Sequence, residues 1–495
     1  MRITIESPTF AYLEEFTQDE LRQLKEQLSY KNGKIEQLLK RHMSNRWWRQ
    51  KNVVTWEERK RELMRDLNGS LVQKDSRGYH IKPGYIPYIT RMNIEVSNKI
   101  KYPKLKPLPW IVDPEFDPYK YQSDSVKKLL KIGHGNVSLP TGCGKSFILL
   151  MLAQQIGEGV VIVTPSKSIF LELMEEFQLR LGKSKVGGYG NGKKDIKKPI
   201  TIAIGKSITM LKKGSKEYEF FKKKKAMLVD ESHTWGADKL EEVCHGVLGD
   251  VPRRFFVSAT QTRGDGMVKL LHSIIGETVL EMSIEEAISK KYLCPLKFNV
   301  IRTYSPSTKY TKEALEVKRE HFLYNDNIAE MAAKLANANW RVNKESTLIL
   351  VEELVQIKKL SKLLEVPFSY IHSGSKKEAE KNGIEKVDLK TELERFNSGE
   401  VKVLIGTKSI STGTNIYPTH HTINWMGGSS EINTKQGPMG RSTRWMKKKY
   451  EKKHKKKTHT QIWDFDVEGQ PILERMLKTR IKYYEETGER VNKMG

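Results

Sequence analysis

The chain has 495 residues and 38% hydrophobic content, enough for about three domains of ordinary size with buried cores. It carries 87 Lys and Arg against 60 Asp and Glu; the net charge of +27 favours a polyanionic partner, nucleic acid first and an anionic membrane surface second. No stretch reaches the roughly 20 apolar residues of a membrane span, the start MRITIESPTF has no apolar signal core, and Cys143, Cys244 and Cys294 form no C-x-x-C pair, which argues against a zinc site or disulfide framework and for a reducing cytosol.

Arg2–Glu6 alternates like a strand. Thr17-Gln-Asp-Glu20 reads as a capping box, followed by Leu21, Leu24 and Leu28 at helical spacing. Gly33 interrupts and Ile35–Met43 resumes. Thr55-Trp-Glu-Glu58 repeats the box before Arg59–Leu67. Between these helices, Arg46-Trp47-Trp48-Arg49-Gln50-Lys51 mixes rings with cations; it stacks on bases or anchors a small core. Leu71–Lys82 reads as a hairpin turning near Asp75–Gly78. Pro87, Pro103, Pro107 and Pro109 punctuate a basic connector.

Pro118-Tyr119-Lys120-Tyr121-Gln122 opens the next unit; a glutamine amide matches the paired edge of adenine. Val137–Ser146, VSLPTGCGKS, then reads as strand, phosphate loop and helix. Backbone N–H groups over Thr141, Gly142, Cys143 and Gly144 favour anions, Lys145 adds positive charge, and the Ser146 hydroxyl is a Mg²⁺ ligand. The general pattern wants glycine where Leu139 stands, so a plain glycine turn stays open on this stretch alone. Cys143 reads as a tolerated small residue.

Gly159–Thr164 is a continuous apolar run typical of a buried parallel strand. It ends in Pro165-Ser166-Lys167-Ser168, and Thr201–Ile204 ends likewise in Gly205-Lys206-Ser207. Both turns read as a nucleic-acid phosphate track or as ordinary loop chemistry. Lys222–Lys225 precedes Ala226–Val229 and then Asp230-Glu231-Ser232-His233. Asp230 at a strand tip holds Mg²⁺ through water, and Glu231 deprotonates the attacking water. Glycine loop and acidic pair together point to nucleoside-triphosphate hydrolysis. Phe255–Thr260 is a further strand, ending in Ser258-Ala259-Thr260.

Near Pro295 the pattern restarts, with strands at Thr347–Val351, Phe368–Ile371 and Val401–Ile405. Gly406-Thr407-Lys-Ser-Ile-Ser-Thr412-Gly413 follows, then Gln436-Gly-Pro-Met-Gly440-Arg441-Ser-Thr-Arg444. Arg441 and Arg444 are spaced to share one helix face, and an arginine directed at the γ-phosphate accelerates such hydrolysis. Lys447–Lys457 is a solvated loop or a set of phosphate contacts. Gln461–Asp466 reads as the last strand and Glu474–Glu486 as a terminal helix.

YQ, LPTGCGKS, VTPSKSI, DESH, SAT, an STG turn and QxxGRxxR follow in order. That series resembles the superfamily 2 helicases, and its compact form resembles bacteriophage branch-migration helicases of the UvsW type. The resemblance implies an α/β fold of two tandem RecA-like P-loop domains with ATP and Mg²⁺ in the cleft between them. An α+β accessory domain precedes them. Gln122, Thr141–Ser146, Asp230 and Glu231 would bind and hydrolyse ATP, with Gln436, Arg441 and Arg444 completing the site. Ser258 and Thr260 would couple hydrolysis to movement. Pro165, Ser166, Lys167, Lys206, Thr407 and Thr412 would contact nucleic acid. Where RNA-helicase relatives carry Ala-Asp, this chain has Ser232-His233; it also has Pro165-Ser-Lys-Ser for their Pro-Thr-Arg-Glu and Gln436 for their His-Arg. These differences turn the reading toward DNA.

The expected domains are an accessory, DNA-binding domain over 1–105, RecA-like domains over 106–295 and 296–466, and a helical tail over 467–495. The expected protein is a cytoplasmic monomer (in the host cytoplasm if phage-encoded) that remodels branched or forked DNA, with no membrane association. An RNA helicase, and a nucleic-acid-binding ATPase switch without unwinding, are the alternatives.

Overall fold

Val160–Thr164, VVIVT, is apolar toward both faces, and a parallel strand covered on both sides hides such a run. In the computed structural model it lies inside an eight-stranded sheet. The structure describes residues 1–45, 53–111, 118–232, 235, 237–259, 268–372, 374–407, 410 and 416–494. They divide into two compact units, one of Met1–Leu139 and Gly144–Glu281, the other of Pro140–Cys143 and Met282–Gly495.

The first unit begins with β1 (Arg2–Ile5), β2 (Ala11–Glu14), β3 (Ser29–Lys31), β4 (Asn68–Ser70), β5 (Gln73–Asp75), β6 (Gly78–Ile81) and β7 (Glu95–Asn98). Five strands pair in the order β5-β6-β2-β1-β7, with β1 and β7 parallel; β3 and β4 form a separate ribbon. Ile3, Leu13 and Ile81 are buried, and the helix Gln18–Gln27 adds Leu21 and Leu24 to the same core. Its capping box forms: Glu20 N donates to Thr17 Oγ1 at 3.2 Å, and Thr17 N to Glu20 Oε2 at 2.7 Å. The hairpin turn forms too, with Asp75 Oδ1 accepting from Arg77 N at 2.8 Å and Gly78 N at 3.2 Å.

The second capping box does not form. Helix Val53–Leu67 is already under way at Val53, so Thr55 lies inside it. Trp56 is buried instead and stacks on His42 of helix Gly33–Ser44, ring centroids 4.8 Å apart. Trp47 and Trp48 lie outside the described residues. Farther along, buried Arg254 donates from Nη1 to Pro8 O at 3.1 Å and ties the N-terminal sheet to the next one.

That next sheet comprises β8 (His134–Ser138), β9 (Val160–Thr164), β10 (Val186–Gly190), β11 (Lys193–Lys194), β12 (Ile200–Ile204), β13 (Ala226–Val229), β14 (Arg253–Ser258) and β15 (Glu277–Glu281). The order is β11-β10-β12-β9-β13-β14-β8-β15, parallel except for β10–β11. From β8 the chain passes two strand positions to reach β9, and β13 and β14 fill them later. Val229 therefore lies opposite Phe256, and Ser258 opposite Ser138. The C-terminal ends of β8, β14 and β13 adjoin at the switch in strand order, where open α/β sheets bind ligands.

The second unit repeats the principle with β16 (Leu296–Thr303), β17 (Thr347–Val351), β18 (Phe368–Ile371), β19 (Val403–Gly406), β20 (His421–Trp425), β21 (Thr460–Val467) and β22 (Val491–Met494). The order β18-β19-β17-β20-β21-β16-β22 is parallel throughout. The terminal segment is helical over Pro471–Glu485, and it also supplies β22, an edge strand that the sequence reading lacks. Asp464 on β21 holds this helix. Its carboxylate accepts from Arg480 Nε at 2.7 Å, Arg480 Nη2 at 2.8 Å and Tyr484 Oη at 2.7 Å, all buried.

Removing one partner of a buried ion pair strands the other. Arg480→Leu is therefore expected to cost the second unit about 3–5 kcal/mol, read from the urea unfolding midpoint. An unchanged midpoint would show that the pair does not hold the helix to the sheet.

Candidate functional site

The phosphate turn begins as β8 ends. Leu139, where glycine is usual, is fully buried, and its N–H donates to Ser258 O at 2.9 Å. At this position the chain extends the strand pairing with an apolar residue, so glycine is not needed. The true turn comes after it. Cys143 N donates to Pro140 O at 3.2 Å, and Gly142 and Gly144 take φ of +99° and +75°. Those left-handed angles suit glycine because it has no Cβ. Gly144 meets a second constraint: a Cβ there would lie 2.4 Å from Gln122 Nε2. Gln122 is thus placed against the turn by helix Lys120–Ile132. It is buried, and its Oε1 accepts from Tyr119 N at 3.0 Å.

Helix Lys145–Ile156 follows, with Ile148–Ala153 all buried. Lys145 opens it. Its Nζ donates to Leu139 O at 3.2 Å and lies 3.7 Å from Glu231 Oε1. Ser146 is exposed, which leaves its hydroxyl accessible.

The acidic pair stands at the end of β13. Asp230 N donates to Val163 O at 2.9 Å, continuing the sheet, and Asp230 Oδ1 accepts from Glu231 N at 2.9 Å. Trp235 Nε1 donates to Asp230 O at 3.2 Å. Glu231 adopts φ of +46°, a left-handed conformation that costs a non-glycine residue ~1–3 kcal/mol. That turn brings its carboxylate to Lys145. Burial, then the Glu231 charge, push Asp230 up to about 8. A divalent cation arriving there would favour the ionised acid, which burial and the Glu231 charge otherwise oppose. Asp230 and the open Ser146 hydroxyl fit Mg²⁺, and the glycine turn fits the phosphates of ATP.

Ser258 is buried at the end of β14; Thr260 lies outside the described residues. The two turns proposed for nucleic acid emerge side by side, because Thr164 pairs with Ile204. Lys167 and Lys206 are both exposed there, next to half-buried Pro165. Ser166 also serves the fold, because its Oγ accepts from Ile169 N at 3.4 Å and caps helix Lys167–Leu181. In the second unit Thr407 is buried, with its N–H donating to Ile371 O at 3.1 Å; Thr412 lies outside the described residues.

The arginine motif departs from expectation. Gln436 lies in a π-helical turn, Lys435–Met439, and an α-helical turn covers only Gly440–Ser442. Arg441 is buried, whereas Arg444 lies beyond the helix end and is half-buried. The α-helical turn thus ends before Arg444, although Thr443 keeps right-handed helical angles. Sequence reasoning passed over Lys457 as one lysine in a basic run. It is buried, and its Nζ donates to Ser442 O and Arg444 O, each at 2.8 Å. Burial pushes its ammonium down to about 8. The run is not a uniformly solvated loop. Tyr450 is buried and donates to Glu394 at 2.9 Å, His454 Nε2 bonds Asn397 O at 2.9 Å, and Lys455 pairs with Glu345 at 2.7 Å.

Comparison with known proteins agrees with both units. The profile of the type III restriction enzyme res subunit matches residues 115–263, and that of the helicase conserved C-terminal domain matches 328–445. Together they cover more than half of the chain, which belongs to the superfamily 2 helicases. Its tandem helicase domains make it an ATP-hydrolysing enzyme. The ATP-dependent DNA helicase uvsW of Enterobacteria phage T4 is 23% identical over 385 residues, 74% of this chain and 72% of that one. QP509L of African swine fever virus, provisionally named an ATP-dependent RNA helicase, is 28% identical over 206 residues, and the match spans 39% of each chain. Yeast Dbp5 bound to RNA and ADP BeF3 shares the fold at 15% identity, with a TM-score of 0.52 over 76% of this chain and 90% of that one. No helix among the described residues is long and apolar enough to cross a membrane.

Lys145→Ala is expected to cut ATP turnover ~100-fold or more by removing the charge that meets the phosphates. Salt-sensitive nucleic-acid binding, measured by fluorescence anisotropy, should persist. Retained turnover would remove Lys145 from the site.

Proposed function

We propose that this chain is an ATP-dependent DNA helicase or duplex translocase that remodels branched DNA by fork regression and branch migration, in recombination, repair or replication. The observation that carries the ATPase half is the contact of Lys145 with Glu231 beside Asp230, at the end of a glycine turn. Gln122 meets adenine, and the Thr141–Ser146 turn holds the phosphates. Ser146 and Asp230 would hold Mg²⁺, which supplies positive charge to the phosphates when bound. Glu231 orients the attacking water and takes its proton. Arg441, with Arg444 and Gln436, meets the γ-phosphate of ATP carried by the first domain. Ser258 and Thr260 link hydrolysis to domain movement.

DNA is favoured over RNA by the breadth of the likeness. The relative named a DNA helicase matches 74% of this chain, the one named for RNA 39%. The net charge of +27 and the paired lysine turns at Lys167 and Lys206 suit a phosphate backbone, which Pro165, Ser166, Thr407 and Thr412 also contact. Residues 1–105 act as the accessory DNA-binding domain of a monomer working in the cytoplasm.

Two measurements test this reading. ATPase assays with forked DNA, linear duplex, single strands and RNA should show the greatest stimulation by forked DNA; greatest stimulation by RNA overturns the DNA assignment. Arg441→Ala should slow hydrolysis ~10³-fold while ATP remains bound. Loss of ATP binding instead would mean that Arg441 does not serve the γ-phosphate.

A further inference from the structure

A helix leaves its last carbonyls unpaired, and they carry partial negative charge. The turn Gly440–Ser442 ends in such carbonyls, and side chains and segments distant in sequence satisfy them. Ser442 O accepts from Lys457 Nζ at 2.8 Å and from Thr460 Oγ1 at 2.8 Å. Thr443 O accepts from Cys294 N at 2.7 Å. Arg444 O accepts from the same Lys457 Nζ at 2.8 Å. Beyond it, Trp445 Nε1 donates to Lys291 O at 3.1 Å.

One ammonium therefore pins the backbone on both sides of Thr443. The arrangement is costly. A cation taken out of water normally has a carboxylate partner, and among the described residues Lys457 forms no ion pair. Its neighbours include the cation Arg444, which further disfavours its charge. An apolar residue would fill the same space without that penalty, but it would leave the Ser442 and Arg444 carbonyls without this donor and free to continue the helix. Continuing the helix would carry Arg444 into it, one turn after Arg441.

We infer that Lys457 is a positioning residue for the arginine pair: its buried ammonium, bonded to the carbonyls of Ser442 and Arg444, ends the helix between the two arginines and sets the direction in which each side chain leaves the turn. The inference rests on the proposed reading of Arg441 as a γ-phosphate residue.

The test compares Lys457→Met, Lys457→Arg and Arg441→Ala in the full chain, with nucleic-acid-stimulated ATPase as readout. Lys457→Met keeps the length of the side chain and removes its charge and donors. It should lower kcat ~10–100-fold, the range for small misplacement of a reacting group, with the KM for ATP little changed. Lys457→Arg should restore part of the loss. A residue that merely stabilises the fold would lower the rate equally in any background. A positioning residue loses its effect once the groups it positions are gone, so Lys457→Met added to Arg441→Ala and Arg444→Ala together should slow the enzyme no further. Wild-type kcat in Lys457→Met, or losses that multiply when it is added to the variant lacking both arginines, overturn the inference. Wild-type kcat in Arg441→Ala sinks the arginine assignment itself, whatever Lys457→Met does. If Lys457→Met does not fold, Thr460→Val removes the other donor to Ser442 O in nearly the same volume. A smaller loss in kcat with unchanged KM is then expected, and unchanged kcat overturns the inference.

Discussion

Two carboxylates held side by side repel each other, and the contact of Lys145 with Glu231, 3.7 Å from nitrogen to oxygen, offsets part of that repulsion. The rest of the first unit is arranged to make this contact. Strand order brings the ends of β8 and β13 close together although most of a hundred residues separate them. The glycine turn lets the chain reverse, so that Lys145 looks back along its own strand to Leu139 O. The left-handed Glu231 bends the acidic pair toward it. None of these features is favourable alone. Strained backbone, a nearly buried lysine and an acid pushed up to about 8 coexist because each is needed to place the others. An acid that burial and a neighbouring charge keep from ionising gains most from a cofactor that brings a metal ion.

The second unit uses the same parallel sheet for a different purpose. Its charged motif is a short, irregular turn fastened from several directions, by Lys457, Thr460 and the Cys294 backbone. An arginine on a flexible turn would sample many directions, whereas one on a turn fastened this way samples few. The segment carrying Lys291 and Cys294, which leads into β16, is bonded to this turn as well.

Much of this was legible in the sequence where a residue type answers to a single physical demand. Apolar runs such as Val160–Thr164 and Thr347–Val351 hide only in doubly covered parallel strands. Gly142 and Gly144 stand where φ is positive. Asp230-Glu231 after an apolar run marks a strand tip. The unread features depend on partners far along the chain. Thr55 lies inside its helix rather than at the cap, and Trp56 next to it packs on His42. Lys457, which bonds the carbonyls on both sides of Thr443, shows in the sequence only as one cation of a run. Leu139 looked like a defect in a motif, yet it is a strand residue bonded to Ser258. β22 is a short, mostly polar edge strand with no pattern of its own; the helix anchored by Asp464 and Arg480 delivers it to β16.

The net charge shows the same limit. Composition counts every lysine alike, yet they do different work. Lys224 is buried, donates to Thr201 Oγ1 at 2.8 Å, and is pushed down to about 7 by burial. Lys106 and Lys225 both hold Glu158, at 2.9 and 2.5 Å. Lys457 caps a turn. These cations have partners within the fold. Lys167 and Lys206 differ. They are exposed on turns that adjoin because β9 and β12 pair, and neither forms an ion pair among the described residues. Exposed cations without carboxylate partners bind a polyanion, which releases its own counterions. The case for a nucleic-acid partner therefore rests less on how many cations the chain carries than on which of them the fold leaves unneutralised.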